Sequence, residues 1–300
     1  MPVVRTVVAE REVGAGLYRR INRQLARLGA MGAGAAAAFE ARDGIAVVTC
    51  RLEPVPGDSG REAGEVQEIF LSGIASALAE TIASDVEPRL LRRAVSKRAG
   101  STREAERRRI EELARLEVDR IARDERSERA NLAVRIAHYL AEADELHLEG
   151  FLRFRLKGYR NELELCAEDA LRTFEAEREQ REFVALLRFL LENQEPRIDL
   201  VHVIPRRGGS FSLRDGDGFL VNHDHLEGFV FDLAHGGDVN PGDLLVSALV
   251  TLSPLRIVLH PPPEPWDEAF LREVFRERLI DCEGCALCTQ APAARKPGPL

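Results

Sequence analysis

Residues 197–218, RIDLVHVIPRRGGSFSLRDGDG, mark the point where the chain turns from helix to sheet. Ile198, Val201, Val203 and Ile204 make a short β-branched run, and the arginines and glycines of 206–209 supply a turn. Phe211–Asp215 is a second run, and DGDG at 215–218 a second turn. With EGFVFDL at 227–233 as a third run, the pattern predicts an antiparallel meander. Downstream, a helix in PGDLLVSALVTL, a strand in RIVLH, a helix in PWDEAFLREVFRERL and a short strand LID complete a mixed α/β domain.

Working outward toward the N-terminus, residues 87–196 carry helical apolar spacing with no convincing strand, punctuated near Gly100 and Gly150. Before them, VVRTVVA reads as a strand, and Leu17, Ile21, Leu25 and Leu28 recur at helical spacing. AAAAFEARDGIAVVTCRL reads as two strands joined at Asp43-Gly44, and a helix from about Glu62 onward is marked by Val66, Ile69, Ile74, Leu78 and Ile82. The fold class is therefore α+β. A small β-α-β-β-α unit spans 1–86, a helical region 87–196, a C-terminal α/β domain with the meander 197–288, and a tail expected to be disordered 289–300.

Three hundred residues suffice for more than one core. A net charge of −8 argues against coating nucleic acid or an anionic membrane, both of which call for a cationic surface. No stretch approaches the ~20 apolar residues of a membrane helix. The nearest, LLVSALVTLSPLRIVL, is interrupted by Pro254 and Arg256, and no secretory signal opens the chain. A cytoplasmic location is expected. Five cysteines, three of them within seven residues, do not make a disulfide scaffold and fit a reducing compartment.

Those three, Cys282, Cys285 and Cys288, stand in DCEGCALC. Thiolates on one turn suit a soft or borderline ion such as zinc, for which four ligands are needed. An iron–sulfur cluster of the bacterial ferredoxin pattern is the lesser alternative, because its fourth cysteine would fall at Pro292. His260 ends the strand RIVLH, which in a parallel sheet would neighbour LIDC, making it the candidate fourth ligand. A redox dithiol and ordinary reduced thiols stay open beside the metal reading.

Other groupings carry less. His223 and His225 in HDH, with His235, Asp224, Glu227 and Asp232 nearby, fit surface histidines in a hairpin better than a second metal site. RDGDG lacks the twelfth-position glutamate of a calcium loop, since Leu226 stands there, and reads as a turn. On EGFLRFRLKGYRNELELC, Leu152, Leu156, Tyr159, Leu163 and Cys166 form an apolar stripe. Arg153, Lys157 and Arg160 form a cationic row that is either solvated, with Arg160 paired to Glu164, or able to hold an anion or an acidic partner. Residues 89–109 set nine cations against two carboxylates, a density that nucleic acid would accept, but acidic residues follow at once. No phosphate loop, nucleophile elbow, dinucleotide fingerprint or His-Glu-x-x-His helix is present.

EGFLRFRLK, NQEPRIDLVHV, GSFSLRD, GDLLVSALVTLSPLRIVLH and the closing CEGCALC resemble the YtxC family of sporulation proteins over roughly residues 146–288. The resemblance implies a cytoplasmic protein of endospore-forming bacteria and brings no enzymatic activity with it. The expected function is a non-catalytic factor that binds another protein. Two alternatives stand beside it. One is an enzyme acting on an anionic substrate between the helical and C-terminal regions, using the Arg153, Lys157, Arg160 face and carboxylates such as Asp199 or Glu227. The other is a nucleic-acid binder using 89–109.

Overall fold

A computed structural model describes residues 3–30, 34–53, 60–100, 102–206, 210–221, 241–263 and 268–289, and the chain is mixed helix and strand. It divides into two compact units, 1–176 and 177–300, with the boundary inside one long helix.

In the first unit, strands β1 (Val3–Val8), β2 (Ala35–Arg42), β3 (Ile45–Leu52) and β4 (Glu145–His147) form a sheet in the order β2-β3-β1-β4, antiparallel except for the parallel β1–β4 pair. The β2–β3 hairpin turns on Asp43 and Gly44, both at positive φ (53° and 83°), as a two-residue loop matching the strand twist requires. Helix α1 (Arg11–Ala30) buries Leu17, Ile21, Leu25 and Leu28 against the sheet. It comes so close that a Cβ on Gly14 would lie 2.3 Å from that of Ala46.

Helix α2 (Gly60–Thr81) leads through a π turn, Ile82–Val86, into α3 (Glu87–Ala99). Its buried face is Phe70, Ile74 and Leu78, continued by Ile82 of the π turn. Ile69, expected on that face, is 41% exposed, because the 3.6-residue repeat runs through Phe70 and leaves its neighbour about 100° away. Contrary to the expectation that no stretch approaches a membrane helix, Gly64–Ala99 is long and apolar enough to cross a membrane by length and composition. Its apolar side chains Phe70, Ile74, Leu78, Leu91 and Val95 are buried in this unit's core.

Helices α4 (Glu104–Ile121), α5 (Leu132–Glu142), α6 (Leu148–Phe154) and α7 (Lys157–Asn193) follow. The sequence suggests one helix over 149–166, but the chain breaks at Arg155-Leu156, where both N–H groups converge on the carbonyl of Phe151 (2.8 and 3.1 Å). Gly150 lies inside α6 and breaks nothing. The apolar stripe survives the break: Leu152, Leu156, Tyr159, Leu163 and Cys166 are all buried. Strand β4, within a region read as all helix, has three residues, too few to show alternation.

Polar groups in this unit are used structurally. The Tyr159 hydroxyl donates to Glu87 (2.6 Å), which also meets Arg129 (2.5 Å). Burial, then the Glu87 charge, pushes the phenol well above its ordinary range. Glu162 accepts the backbone N–H groups of Glu128 and Arg129 (2.7 and 3.0 Å). Arg20 bridges Asp85 in the π turn (2.8 Å) and Glu80 (3.2 Å).

The second unit has the strands β5 (Ile198–Pro205), β6 (Phe211–Asp215), β7 (Pro254–Leu259) and β8 (Leu279–Asp281) in the order β6-β5-β7-β8. The β5–β6 pair is antiparallel, forming the first hairpin of the expected meander, while β5–β7 and β7–β8 are parallel. EGFVFDL, the six residues of the histidine grouping from His223 to His235, and the tail from 290 lie outside the described residues. Val201, Val203, Ile257 and Leu259 face a core completed by α7 (Val184, Leu187, Leu191), α8 (Pro241–Leu252; Leu245, Leu249) and α9 (Ala269–Phe275; Leu271, Phe275).

Candidate metal centre

Strand register assembles the site. Side chains alternate across a sheet, so if Val201, Val203, Ile257 and Leu259 face the core, His202, Val258, His260 and Cys282 fall on the other face. The backbone ladders extend past the strands, with His260 N–H donating to Val203 O and Cys282 N–H to Leu259 O (2.9 Å each). His202, His260 and Cys282 therefore gather near the carboxyl ends of three parallel strands, the edge where open α/β sheets place ligands. A turn through Gly284, at φ 119°, and the single helical turn α10 (Ala286–Thr289) bring Cys285 and Cys288 back over them.

One ligand atom from each of His260, Cys282, Cys285 and Cys288 lies within 4.8 Å of all the others. Cys288 Sγ is 3.4 Å from Cys282 Sγ and 3.0 Å from His260 Nδ1, and Cys285 Sγ is 4.0 Å from His260 Nε2. With bonds of about 2.3 Å to sulfur and 2.0 Å to nitrogen, the donors of a tetrahedral Cys3His zinc site are roughly 3.5–3.8 Å apart; the cluster has that donor set, and its separations, from 3.0 Å to within 4.8 Å, bracket that size. His260 is 2% exposed, whereas the thiols are half-buried or open, so a metal would be held from beneath by the imidazole.

The electrostatics favour ligation at Cys285 and at the imidazoles and oppose it at Cys282. Desolvation raises the Cys285 thiol, but the N–H groups of Cys288 and Leu287, together with the neighbouring thiols, outweigh it and bring the net shift down. Cys282 is pushed up, by desolvation first and then by the thiols beside it, Gly284 N–H opposing. Desolvation also lowers His260 and His202, leaving neutral imidazoles able to offer a lone pair.

His202 escaped the sequence reading. Its Nδ1 lies 3.0 Å from His260 Nε2, and nothing in LVHVI distinguishes it from any histidine in a half-buried strand. The signal that could have found it was the pairing of β5 with β7, which becomes visible once both are read as parallel neighbours.

The other candidates fare differently. Arg153, Lys157 and Arg160 are exposed on α6 and α7, and Glu164, the expected partner of Arg160, bridges Arg98 instead (3.3 Å). In the basic run, Arg89 pairs with Glu10, Arg98 with Glu164, Arg108 with Glu104 and Arg109 with Glu112. The Asp215 carboxylate accepts from the N–H of Asp217 (3.0 Å) and of Phe219 (2.8 Å), as a side-chain-closed turn does.

Sheet, helices and cluster define a two-unit α+β protein with a Cys3His donor set at the carboxyl end of a parallel strand pair. The YtxC-like family model matches residues 72–280, more than half of the chain, and the protein belongs to that family. The match includes His202 and His260 and stops two residues short of Cys282. No curated protein and no solved structure matches.

Proposed function

We propose that this is a sporulation-linked cytoplasmic protein, non-catalytic and acting by binding another protein, in which a zinc ion on Cys282, Cys285, Cys288 and His260 pins the C-terminal end of the second unit. The gathering of four soft and borderline donors within 4.8 Å carries this reading. Four protein ligands close a zinc site and leave no position for substrate, which supports a structural ion over a hydrolytic one. None of residues 282–288 enters the apolar core, so cross-linking by metal substitutes for packing there. The protein partner is supported by an apolar stripe on α7. Phe183, Leu186 and Phe189 are each more than half exposed, with Leu190 at 37%, a cluster more typical of a contact surface than of a solvated helix.

The test is to purify the wild type and Cys285→Ser anaerobically without a metal-affinity resin, measure their metal content and melt both. About one equivalent of zinc in the wild type, lost in the variant together with a lower melting temperature, is expected. Less than roughly a tenth of an equivalent of any transition metal, with identical melting, returns the cysteines to ordinary reduced thiols.

A further inference from the structure

We infer that His202 is a positioning residue for this site, resting on the metal reading above: it accepts a hydrogen bond from Nε2–H of His260, and so fixes Nδ1 of His260 as the ligand atom. A neutral imidazole carries one proton, and whichever nitrogen holds it cannot bind metal. In His260 the two nitrogens face different partners. Nε2 is 3.0 Å from His202 Nδ1, a hydrogen-bonding distance, with Cys285 Sγ farther off at 4.0 Å, and Nδ1 is 3.0 Å from Cys288 Sγ. A proton on Nε2 satisfies the His202 contact and leaves the Nδ1 lone pair aimed at Cys288, the nearest of the thiols. The opposite tautomer would place the proton against the sulfur, spend the Nδ1 position on it, and require His202 to donate from Nδ1 in place of accepting.

The geometry is built into the sheet. His202 and His260 stand on neighbouring parallel strands on the same face, their rings 5.2 Å apart between centroids and inclined at 57°. Because His260 is 2% exposed, water has little access to replace the lost acceptor. Ligating histidines generally donate their second N–H to such a partner, and removing it typically costs 10–100-fold in metal affinity.

The test uses the full chain and cadmium as the probe. His202→Leu removes the acceptor, and His202→Asn places a carbonyl oxygen near the position of Nδ1. The expected result is a roughly 10–100-fold weaker cadmium affinity for His202→Leu, substantial recovery in His202→Asn, and unchanged melting of the metal-free proteins. With 113Cd and 15N-histidine labelling, the wild type should show coupling from cadmium to Nδ1 of His260. Equal affinities across the three proteins, or coupling to Nε2 of His260 or to His202, would overturn the inference while leaving the metal site standing. A wild type that binds no cadmium would overturn the site itself.

Discussion

The same residue type meets opposite fates in the two units. Cys50 and Cys166 of the first are buried, and desolvation pushes their thiols up to about 12 and about 11. Cys282, Cys285 and Cys288 of the second are half-buried or open, and backbone N–H groups bring Cys285 down. The cores differ in step. Among the described residues, 39 side chains form the buried core of the first unit and 16 that of the second. None of residues 282–288 belongs to the second set, so apolar packing does not hold the last turn. In the first unit cysteine is a small hydrophobe; in the second, polar donors stand where packing runs out.

The largest effect expected from this contrast follows metal removal. A ligand present at about 1,000 times its Kd stabilises by about 4 kcal/mol, and the gain should be confined to the unit that binds it. Hydrogen exchange on the full chain, with and without a zinc chelator, should show protection falling in peptides covering 254–289 and holding in those covering 3–52. Loss spread evenly over both units would break the contrast.

Next in size is Leu156→Ala. Leu156 is fully buried at the break between α6 and α7, and its truncation should cost roughly 2–5 kcal/mol in chemical denaturation, through lost burial and the cavity left behind. A cost under about 1 kcal/mol would show that the break collapses around the smaller side chain.

Thiol labelling sharpens the comparison without perturbing the fold. In metal-free native protein at pH 7, Cys285 should react fastest, because a lowered pKa means more thiolate there. Cys50 and Cys166 should stay unlabelled until the protein unfolds, since both burial and a raised pKa withhold the thiolate. Added zinc should protect the C-terminal three. Labelling of Cys50 at a rate like that of Cys285, read by mass spectrometry of the peptides, would contradict the burial of β3.

How much of this was legible in the sequence depends on the range of the interaction. The type I′ hairpin at Asp43-Gly44, the α1 stripe and the Cys-x-x-Cys-x-x-Cys turn are set by residues within a few positions of one another, and all could be read. His260 was legible because two strand patterns, RIVLH and LID, implied a parallel pairing that the structure has. His202 was not, since its role depends on β5 and β7 lying side by side across 58 residues of chain. The break at Arg155-Leu156 was hidden because the apolar spacing runs through it unchanged, and Ile69 misled because an exposed isoleucine fits the same alphabet as a buried one.

The smallest expected effect probes the surface of the first unit. Arg153→Ala with Lys157→Ala should leave stability within about 0.5 kcal/mol of the wild type, the range of surface substitutions. Both side chains are exposed, and the terms they carry oppose one another. Arg153 lies over the ring of Phe154 at 5.4 Å, an exposed cation–π contact worth about 0.5 kcal/mol that the variant loses. Lys157 opens α7, where a cation meets the positive end of the helix dipole, so its removal returns a few tenths of a kcal/mol. Near cancellation follows, and chemical denaturation beside Leu156→Ala would set the solvated face against the buried one on a single helix pair. A double variant that loses more than about 1 kcal/mol would place these cations in the structural framework, beside Arg20 and Arg129, and end their candidacy as a free anion or partner surface.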